Sequence, residues 1–362
     1  MTDRTTGRTT DRTMSGTHCF FVPPHVQREV AKNADGPAAE KKQLELADAS
    51  RKNRATAITK VDAGPGAAPA LAPAPTGTGR REVYDLQHGT TQRVNLVRAE
   101  GQPETDDVDV TNAYDNAGLV RRFLTTVFER ESIDNHALDL VLNVHFATSY
   151  NNAFWDGDEM TFGDGDGVIF SGFARSLDVV AHELGHGVTQ FTSGLVYKNE
   201  PGALNEHFSD VFGTTVTQWA NGETPTTADW LIGDEIMGPQ LYGEALRSMR
   251  APGTAYDNPV FGTDPQPAHY ADRYTGTADY GGVHINSGIP NRAFYLAAVD
   301  LGDTLTAARI WYHALQFLPS TASFAQAAQQ VATSARVLVK AGRAPKGAAQ
   351  VVRAAWRSVG VQ

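Results

Sequence analysis

The chain has 362 residues, enough for two domains with sizeable cores, and its 41% apolar and 20% charged composition is ordinary for a soluble globular protein. A formal charge of −10 argues against nucleic acid as a partner, and no apolar run approaches the roughly 20 residues that cross a bilayer, which argues against a membrane role. The single cysteine, Cys19, rules out an intrachain disulfide framework, points weakly to a reducing compartment, and leaves histidines and carboxylates to build any metal site.

At the N-terminus, residues 1–17 are rich in Thr and Arg, and no apolar core of a secretory signal follows them. The candidate run Cys19-Phe20-Phe21-Val22 is too short and stops at Pro23-Pro24; Met14 offers a second start. With no export signal visible, the expected location is the cytoplasm or, by a route without a signal peptide, the outside of the cell. Residues 1–80 hold 12 basic and 8 acidic residues, a net of +4, against −14 for the rest. A basic leader beside an acidic body could dock on it; a solvated tail has the same charge signature. Residues 1–62 read as a short precursor segment, with a charged helical stretch around 38–60. Residues 63–81 follow as a linker: 63–79 hold too much Pro, Gly and Ala to build a core, and Arg80-Arg81 reads as an exposed pair where nicking concentrates.

Residues 82–176 favour strands and turns. One helix is expected over 116–132, where Leu119, Val120, Phe123, Leu124, Val127 and Phe128 share a face, and a strand over 138–146. Gly163-Asp164-Gly165-Asp166-Gly167 is a turn cluster between two short strands; it lacks the later carboxylate and helical flanks of an EF-hand calcium loop. From residue 177 to 362 the pattern turns helical, with apolar faces over 177–192, 203–220 and 289–301, then 304–318 and 324–341. The body is therefore a β-rich half followed by an α-helical half.

The chemistry centres on His182-Glu183-Leu184-Gly185-His186. Positions i and i+4 of a helix share a face, so both imidazoles reach one metal ion, with Glu183 beside its open side. Glu206 supplies a third ligand from the start of another helix. Two neutral histidines and a carboxylate leave a zinc ion with one open position, the arrangement of a catalytic site. Asp210, one turn past Glu206, is the candidate acceptor for the other N–H of His182, and Asn205 for that of His186. Gly185 and Gly187 read as points of close backbone approach, and His145, His207 and His269 as packing or surface residues.

The segment from His182 to Gly213 resembles the active-site region of thermolysin-family metallopeptidases. Asn152-Ala153-Phe154-Trp155-Asp156-Gly157, Leu246-Arg247-Ser248-Met249, and the run from Tyr274 to Gly288 resemble further family segments, so the likeness covers the chain from about Glu82 onward. It implies a two-domain α+β zincin with the active-site helix between the halves, and a zinc endopeptidase acting on peptide and protein substrates. By this resemblance Glu183 is the general base. His284 and Tyr197 would steady the oxyanion, and Asp279 would orient His284. Asn152, Ala153 and Arg247 would hold substrate backbone. Phe170, Phe173, Val179 and Leu246 would line an apolar pocket just after the scissile bond, which implies cleavage before large apolar residues. Phe21-Val22-Pro23-Pro24-His25-Val26 resembles the short precursor segment of protealysin-like members and implies a zymogen whose leader covers the cleft until it is removed.

The departures matter as well. The family's shared calcium site is matched at Asp178, Asp229 and Asp234, but Thr217 and Leu231 replace two other carboxylates, so at most one calcium is expected. Thr192 stands where an astacin-type enzyme has its third histidine, which excludes that branch. Cys19 offers a thiolate that could cap the zinc. Two other readings of the chain are open: a catalytically silent partner-binding protein with a structural zinc, opposed by the intact Glu183 and the missing fourth ligand, and an aminopeptidase, which needs an acidic anchor for the substrate amine.

Overall fold

The computed structural model describes residues 19–33 and 79–362. The expected helical stretch at 38–60 and most of the linker lie outside the described residues.

Six strands form a mixed sheet: β1 (Cys19–Phe20), β2 (Arg81–Asp85), β3 (Asn95–Ala99), β4 (Leu140–Val144), β5 (Ala153–Trp155) and β6 (Met160–Phe162). Their order is β1-β5-β6-β4-β2-β3. β4 runs parallel to β2 and β6, and the other pairings are antiparallel. β5 would be an edge if the leader were absent. The leader's β1 covers it in antiparallel register, with Cys19 opposite Trp155 and Phe20 opposite Phe154. An exposed edge presents unpaired N–H and C=O groups, so a strand added there gains main-chain hydrogen bonds without rearranging the sheet.

After β1, Pro23 and Pro24 turn the chain into helix α1 (Pro24–Asn33). A second helix, α2 (Val108–Phe128), packs on the sheet through β2 and β4. It begins eight residues before the expected start at 116, because the Asp107 side chain caps it by accepting from the Asp109 and Val110 amides. It ends at Glu129, whose left-handed backbone closes the last turn. Apolar periodicity alone could see neither signal.

The helical half contains α3 (Leu177–Gln190), α4 (Asn199–Asn221), α5 (Asp279–Asn286), α6 (Gly288–Leu301), α7 (Thr304–Leu315), α8 (Phe324–Lys340) and α9 (Ala348–Ser358). α3 packs against α4 and β5, so it lies between the two halves. One continuous buried apolar cluster runs from Val83 in the sheet to Trp356 in α9. A Cβ at position 185 would lie 2.8 Å from Phe212 Cδ2 and 3.0 Å from Ser209 Cα. Gly185 therefore lets α3 and α4 approach closely, as expected.

Two local expectations change. The turn cluster 163–167 is preceded by β6, but on its far side there is only an isolated bridge, Phe170 to Met237. Asp166 holds that loop by accepting from the Val168 and Ile169 amides, which replaces strand pairing. The basic pair is not a free flexible segment. Arg81 opens β2, forms a bidentate pair with Glu100 at 2.6 and 2.8 Å, and lies over the Tyr114 ring. The Arg80 amide is held by Asp139 at 2.6 Å.

Candidate active site

α3 places His182 and His186 one turn apart, with their rings 4.8 Å centre to centre. α4, packed alongside, presents Glu206. The ligand atoms of His182, His186 and Glu206 lie within 4.8 Å of one another, and all three residues are buried. His182 Nδ1 donates to Asp210 Oδ1 at 2.9 Å, and His186 Nδ1 donates to Asn205 Oδ1 at 2.8 Å. The Asn205 amide is oriented by its own donation to the Leu195 carbonyl at 3.1 Å. With both Nδ1 protons committed outward, the two Nε2 lone pairs face each other at 3.1 Å. Such an arrangement is repulsive unless a cation lies between them.

The carboxylates give the same answer. Glu206 Oε2 and both oxygens of Glu183 are buried without a hydrogen-bond partner. Unpaired buried polar atoms are costly and rare, so these two acids, on packed helices and close enough for Glu206 to raise Glu183, call for a metal ion and a bound water. Burial pushes the His186 pKa down to about 4, which keeps the ring neutral and its lone pair free. Burial pushes the Glu183 carboxyl well up, and the neighbouring Glu206 adds to that. Burial raises Glu206 too, but the surrounding His284, His186 and His182 outweigh it and hold the carboxylate below its ordinary value. Three protein donors of this type fit zinc with an open position.

Asp210 is tied down from several sides. Arg247 donates to its carboxylate through Nε at 2.9 Å and Nη2 at 2.9 Å, and Asn291 donates at 2.8 Å. Burial alone would raise Asp210, but the Arg247 guanidinium and His182 hold it well below the usual carboxylate range. The second partner of Asp210 was invisible in the sequence, since Arg247 lies 37 positions away and the pair forms only in the fold.

His284 lies across the site on α5. This segment is a short kinked helix with left-handed backbone at Tyr280, Gly281 and Gly282. The kink brings Asp279 back under the ring: its Oδ1 accepts from His284 Nδ1 at 2.7 Å and its Oδ2 from the His284 amide at 2.8 Å. Burial pushes His284 down, but Glu206 and Asp279 outweigh it and lift the pKa to about 9. The charged ring thus presents an Nε2 proton to the site, 3.6 Å from Glu206 Oε2. Tyr197 is buried beside it; its hydroxyl donates to Glu206 and lies 3.3 Å from His284 Nε2.

The leader occupies the space these groups enclose. The Phe20 carbonyl accepts from His284 Nε2 at 2.9 Å, and the Phe21 carbonyl accepts from Arg247 Nη1 at 3.2 Å. The Phe21 amide donates to the Ala153 carbonyl at 3.1 Å, and the Val22 amide to Asn152 Oδ1 at 2.8 Å. The Phe21 ring stands edge-on to His182 with centroids 5.0 Å apart, and the Arg247 guanidinium lies 5.1 Å from its centre. A Cβ on Gly233 would sit 3.0 Å from Phe21 Cε1 and 3.2 Å from Leu246 Cδ1, so Leu246 and the bare Gly233 backbone border the ring. Phe170, Phe173 and Val179 belong to the same buried cluster as Phe21 and Leu246. Gly233 had no signal in the sequence, because its role depends on what packs against it.

Other expectations fall elsewhere. Cys19 is buried against Tyr197 and Val283, outside the ligand cluster, and burial with Glu206 and Glu183 nearby pushes its thiol up. It packs in the cleft and does not join the converging ligands, in place of the expected zinc cap. His207 is a satisfied core residue between Asn291 and the Trp311 indole. His145 is more than packing: it bridges Asp164 at 2.8 Å and Asp107 at 2.9 Å. With Asp109 it forms the second donor cluster among the described residues, but Arg175 already pairs with Asp109.

Asp178, Asp229 and Asp234 surround one small cavity of about 140 Å³, together with Thr217, Leu231 and the unexpected Glu223 and Glu235. Asp178 is already partnered by Ser176 and by the Gly233 amide at 2.6 Å. Burial, then Asp178 and Asp229, push Asp234 up to about 7. Among the described residues, these carboxylates do not converge as the zinc ligands do.

Comparison with known proteins agrees with this geometry. The model of the thermolysin metallopeptidase catalytic domain matches residues 40–190, and that of the family's α-helical domain matches residues 193–361. An extracellular metalloprotease of Pectobacterium carotovorum subsp. carotovorum is 46% identical over 80% of this chain and 83% of its own. Thermolysin of Alicyclobacillus acidocaldarius subsp. acidocaldarius is 44% identical over 61% of this chain, a stretch that spans 40% of the relative. Among solved structures, the precursor of protealysin from Serratia proteamaculans superposes with a TM-score of 0.81 at 40% identity, covering 95% of this chain and 100% of that one. The two family models between them match residues 40–190 and 193–361, and together with the 46% identity to a relative spanned over 83% of its length they show that the chain belongs to the thermolysin family of metallopeptidases.

Proposed function

We propose that this metalloendopeptidase is made as a zymogen and cuts peptide bonds on the N-terminal side of large apolar residues. The observation that carries the reading is the buried, unpartnered Glu183 beside the converging His182, His186 and Glu206. A structural metal site has no use for a second, unsatisfied acid at its open side, which weighs against the silent binding protein.

In this reading His182, His186 and Glu206 hold a zinc ion, which when bound polarises the scissile carbonyl and acidifies a water. Glu183 takes that water's proton and delivers it to the leaving amine. His284, kept charged and aimed by Asp279, donates from Nε2 to the developing oxyanion with the Tyr197 hydroxyl beside it. Asn152, the Ala153 carbonyl and Arg247 align substrate backbone against β5. Leu246 and Gly233 border the side chain that follows the scissile bond, and Phe170, Phe173 and Val179 back it. Asp178, Asp229 and Asp234 could serve at most one calcium ion, since Asp178 is already hydrogen-bonded and Leu231 offers no ligand there.

The leader is the first partner of this cleft, and its removal is the activating event; peptide and protein substrates follow. Because the Gly79 carbonyl and the Arg80 amide are already held by the body, processing within the linker falls before residue 79. No helix among the described residues is long and apolar enough to cross a membrane. The likeness to a relative named as extracellular favours action outside the cell.

The test is hydrolysis of a quenched peptide with Leu after the scissile bond, comparing wild type and Glu183→Gln at matched zinc content. Rapid cleavage that collapses by at least about 100-fold in the variant is expected. Equal, negligible rates after leader removal would reduce the site to a binding or structural role.

A further inference from the structure

We infer that the leader lies in the cleft as a substrate lies there, in the productive direction, with the Phe20–Phe21 peptide bond presented for hydrolysis. The inference rests on the endopeptidase reading and adds the register, the residues on either side of the bond, and an order of activation steps.

Three contacts fix the register. The carbonyl that meets the oxyanion donor is that of Phe20, 2.9 Å from His284 Nε2, and that nitrogen is 3.6 Å from the ligand Glu206. The next carbonyl, of Phe21, is on Arg247, and the next amide, of Val22, is on Asn152. The backbone-holding groups meet the leader in chain order, Asn152 holding both the Val22 amide and, through Nδ2 at 3.4 Å, the Val22 carbonyl, and the leader runs antiparallel to β5. A segment bound in reverse, or slipped by one residue, would put side chains on the wrong face and leave the His284 and Arg247 donors and the Asn152 acceptor unmatched.

The side chains alternate into three separate surroundings. Cys19 meets Tyr197 and Val283, Phe20 joins Phe146, Tyr150 and Phe154, and Phe21 enters the main core beside Leu246 and Gly233. Phe21 and Val22 are wholly buried, and Cys19 and Phe20 nearly so. The preferred substrate is therefore a peptide with an aromatic residue on both sides of the scissile bond and a β-branched residue next.

Cutting this bond would not free the cleft. Water adds its oxygen to the Phe20 carbonyl carbon, the C–N bond to Phe21 breaks, and the products are a Phe20 carboxylate and a Phe21 ammonium. Phe21 and Val22 stay joined to α1, which is anchored to the body by buried Val26 and by His25 Nε2 to the Tyr256 hydroxyl at 2.9 Å, while Gln27 Nε2 ties α1 to the Val22 carbonyl at 3.0 Å within the leader. The clipped leader thus remains a bound product, and full activity needs a second cut beyond residue 33.

The test uses the full chain, loaded with zinc and followed by mass spectrometry, alongside the quenched-peptide assay on the same sample. The expected result is an early product ending at Phe20, a chain beginning at Phe21, and little gain in quenched-peptide rate until cuts appear after residue 33. Phe21→Ala should slow the first cut and raise the full chain's quenched-peptide rate by roughly 30- to 100-fold, since it removes a fully buried aromatic anchor. Hydrogen exchange at the Val22 amide of the Glu183→Gln chain should be slow, and fast when Phe21→Ala is added. A chain that cleaves the quenched peptide yet leaves Phe20–Phe21 intact, or cuts first elsewhere in residues 19–33, overturns the register. A chain that cleaves neither overturns the endopeptidase reading, and the register with it.

Discussion

At the scale of single residues, the site is held by pairs whose members are useless alone. Asp210 takes hydrogen bonds from His182, Arg247 and Asn291 and is fully buried with Arg247. Removing one partner of such a pair strands the other charge. Asp210→Asn should therefore cost about 3–5 kcal/mol of stability, read by urea unfolding, and weaken zinc binding roughly 10- to 100-fold in a chelator competition. A second residue reports on pH. His145 is raised to about 9, first by its bond to Asp164 and then, although burial pulls it down, by Asp107. A histidine whose folded pKa exceeds its ordinary value of 6.5 stabilises fully below that value, and the contribution is lost as pH rises through about 9. After discount for its partial exposure, about 1–2 kcal/mol should disappear between pH 6 and pH 10, and His145→Gln should flatten that slope. The sequence could name His182, Glu183, His186 and Glu206 because the chemistry demands residue types at helical spacing. It could not weigh His145, whose carboxylate partners come from a helix cap and a turn.

At the scale of elements, the site depends on how closely α3 and α4 approach. Alanine at Gly185 would gain about 1 kcal/mol of helix propensity. Its Cβ would meet Phe212 and the Ser209 backbone, and overpacking of this kind costs about 1–3 kcal/mol. Because backbone cannot step aside, the clash should win. Gly185→Ala is expected to lower the melting temperature and the zinc affinity together; an unchanged protein would show that the two helices have room. Helix α2 and the kinked α5 mark where sequence reading stopped short. The periodic face of α2 covers only its second half, and its start is set by the Asp107 cap. The kink of α5 rests on left-handed backbone at Tyr280, a choice no apolar pattern records.

At the scale of the molecule, the leader is the sixth strand of the sheet and part of its core, with Phe21, Val22 and Val26 fully buried. Its resemblance to a precursor segment was legible from six residues, and its role as an added edge strand follows from the pairing with β5. Zinc binds only the folded chain, so it should stabilise by mass action. A chelator is expected to lower the melting temperature by several degrees, and added zinc to restore it; no response would remove the metal from the folding account. The most direct test of the whole account is the quenched-peptide rate of the zinc-loaded chain before and after residues 1–78 are removed. The account predicts a slow precursor, a rise of at least about 100-fold on removal, and renewed inhibition when a peptide spanning residues 19–33 is added back. A precursor as fast as the shortened enzyme would contradict it, because a cleft filled by Phe20 and Phe21 cannot also admit substrate.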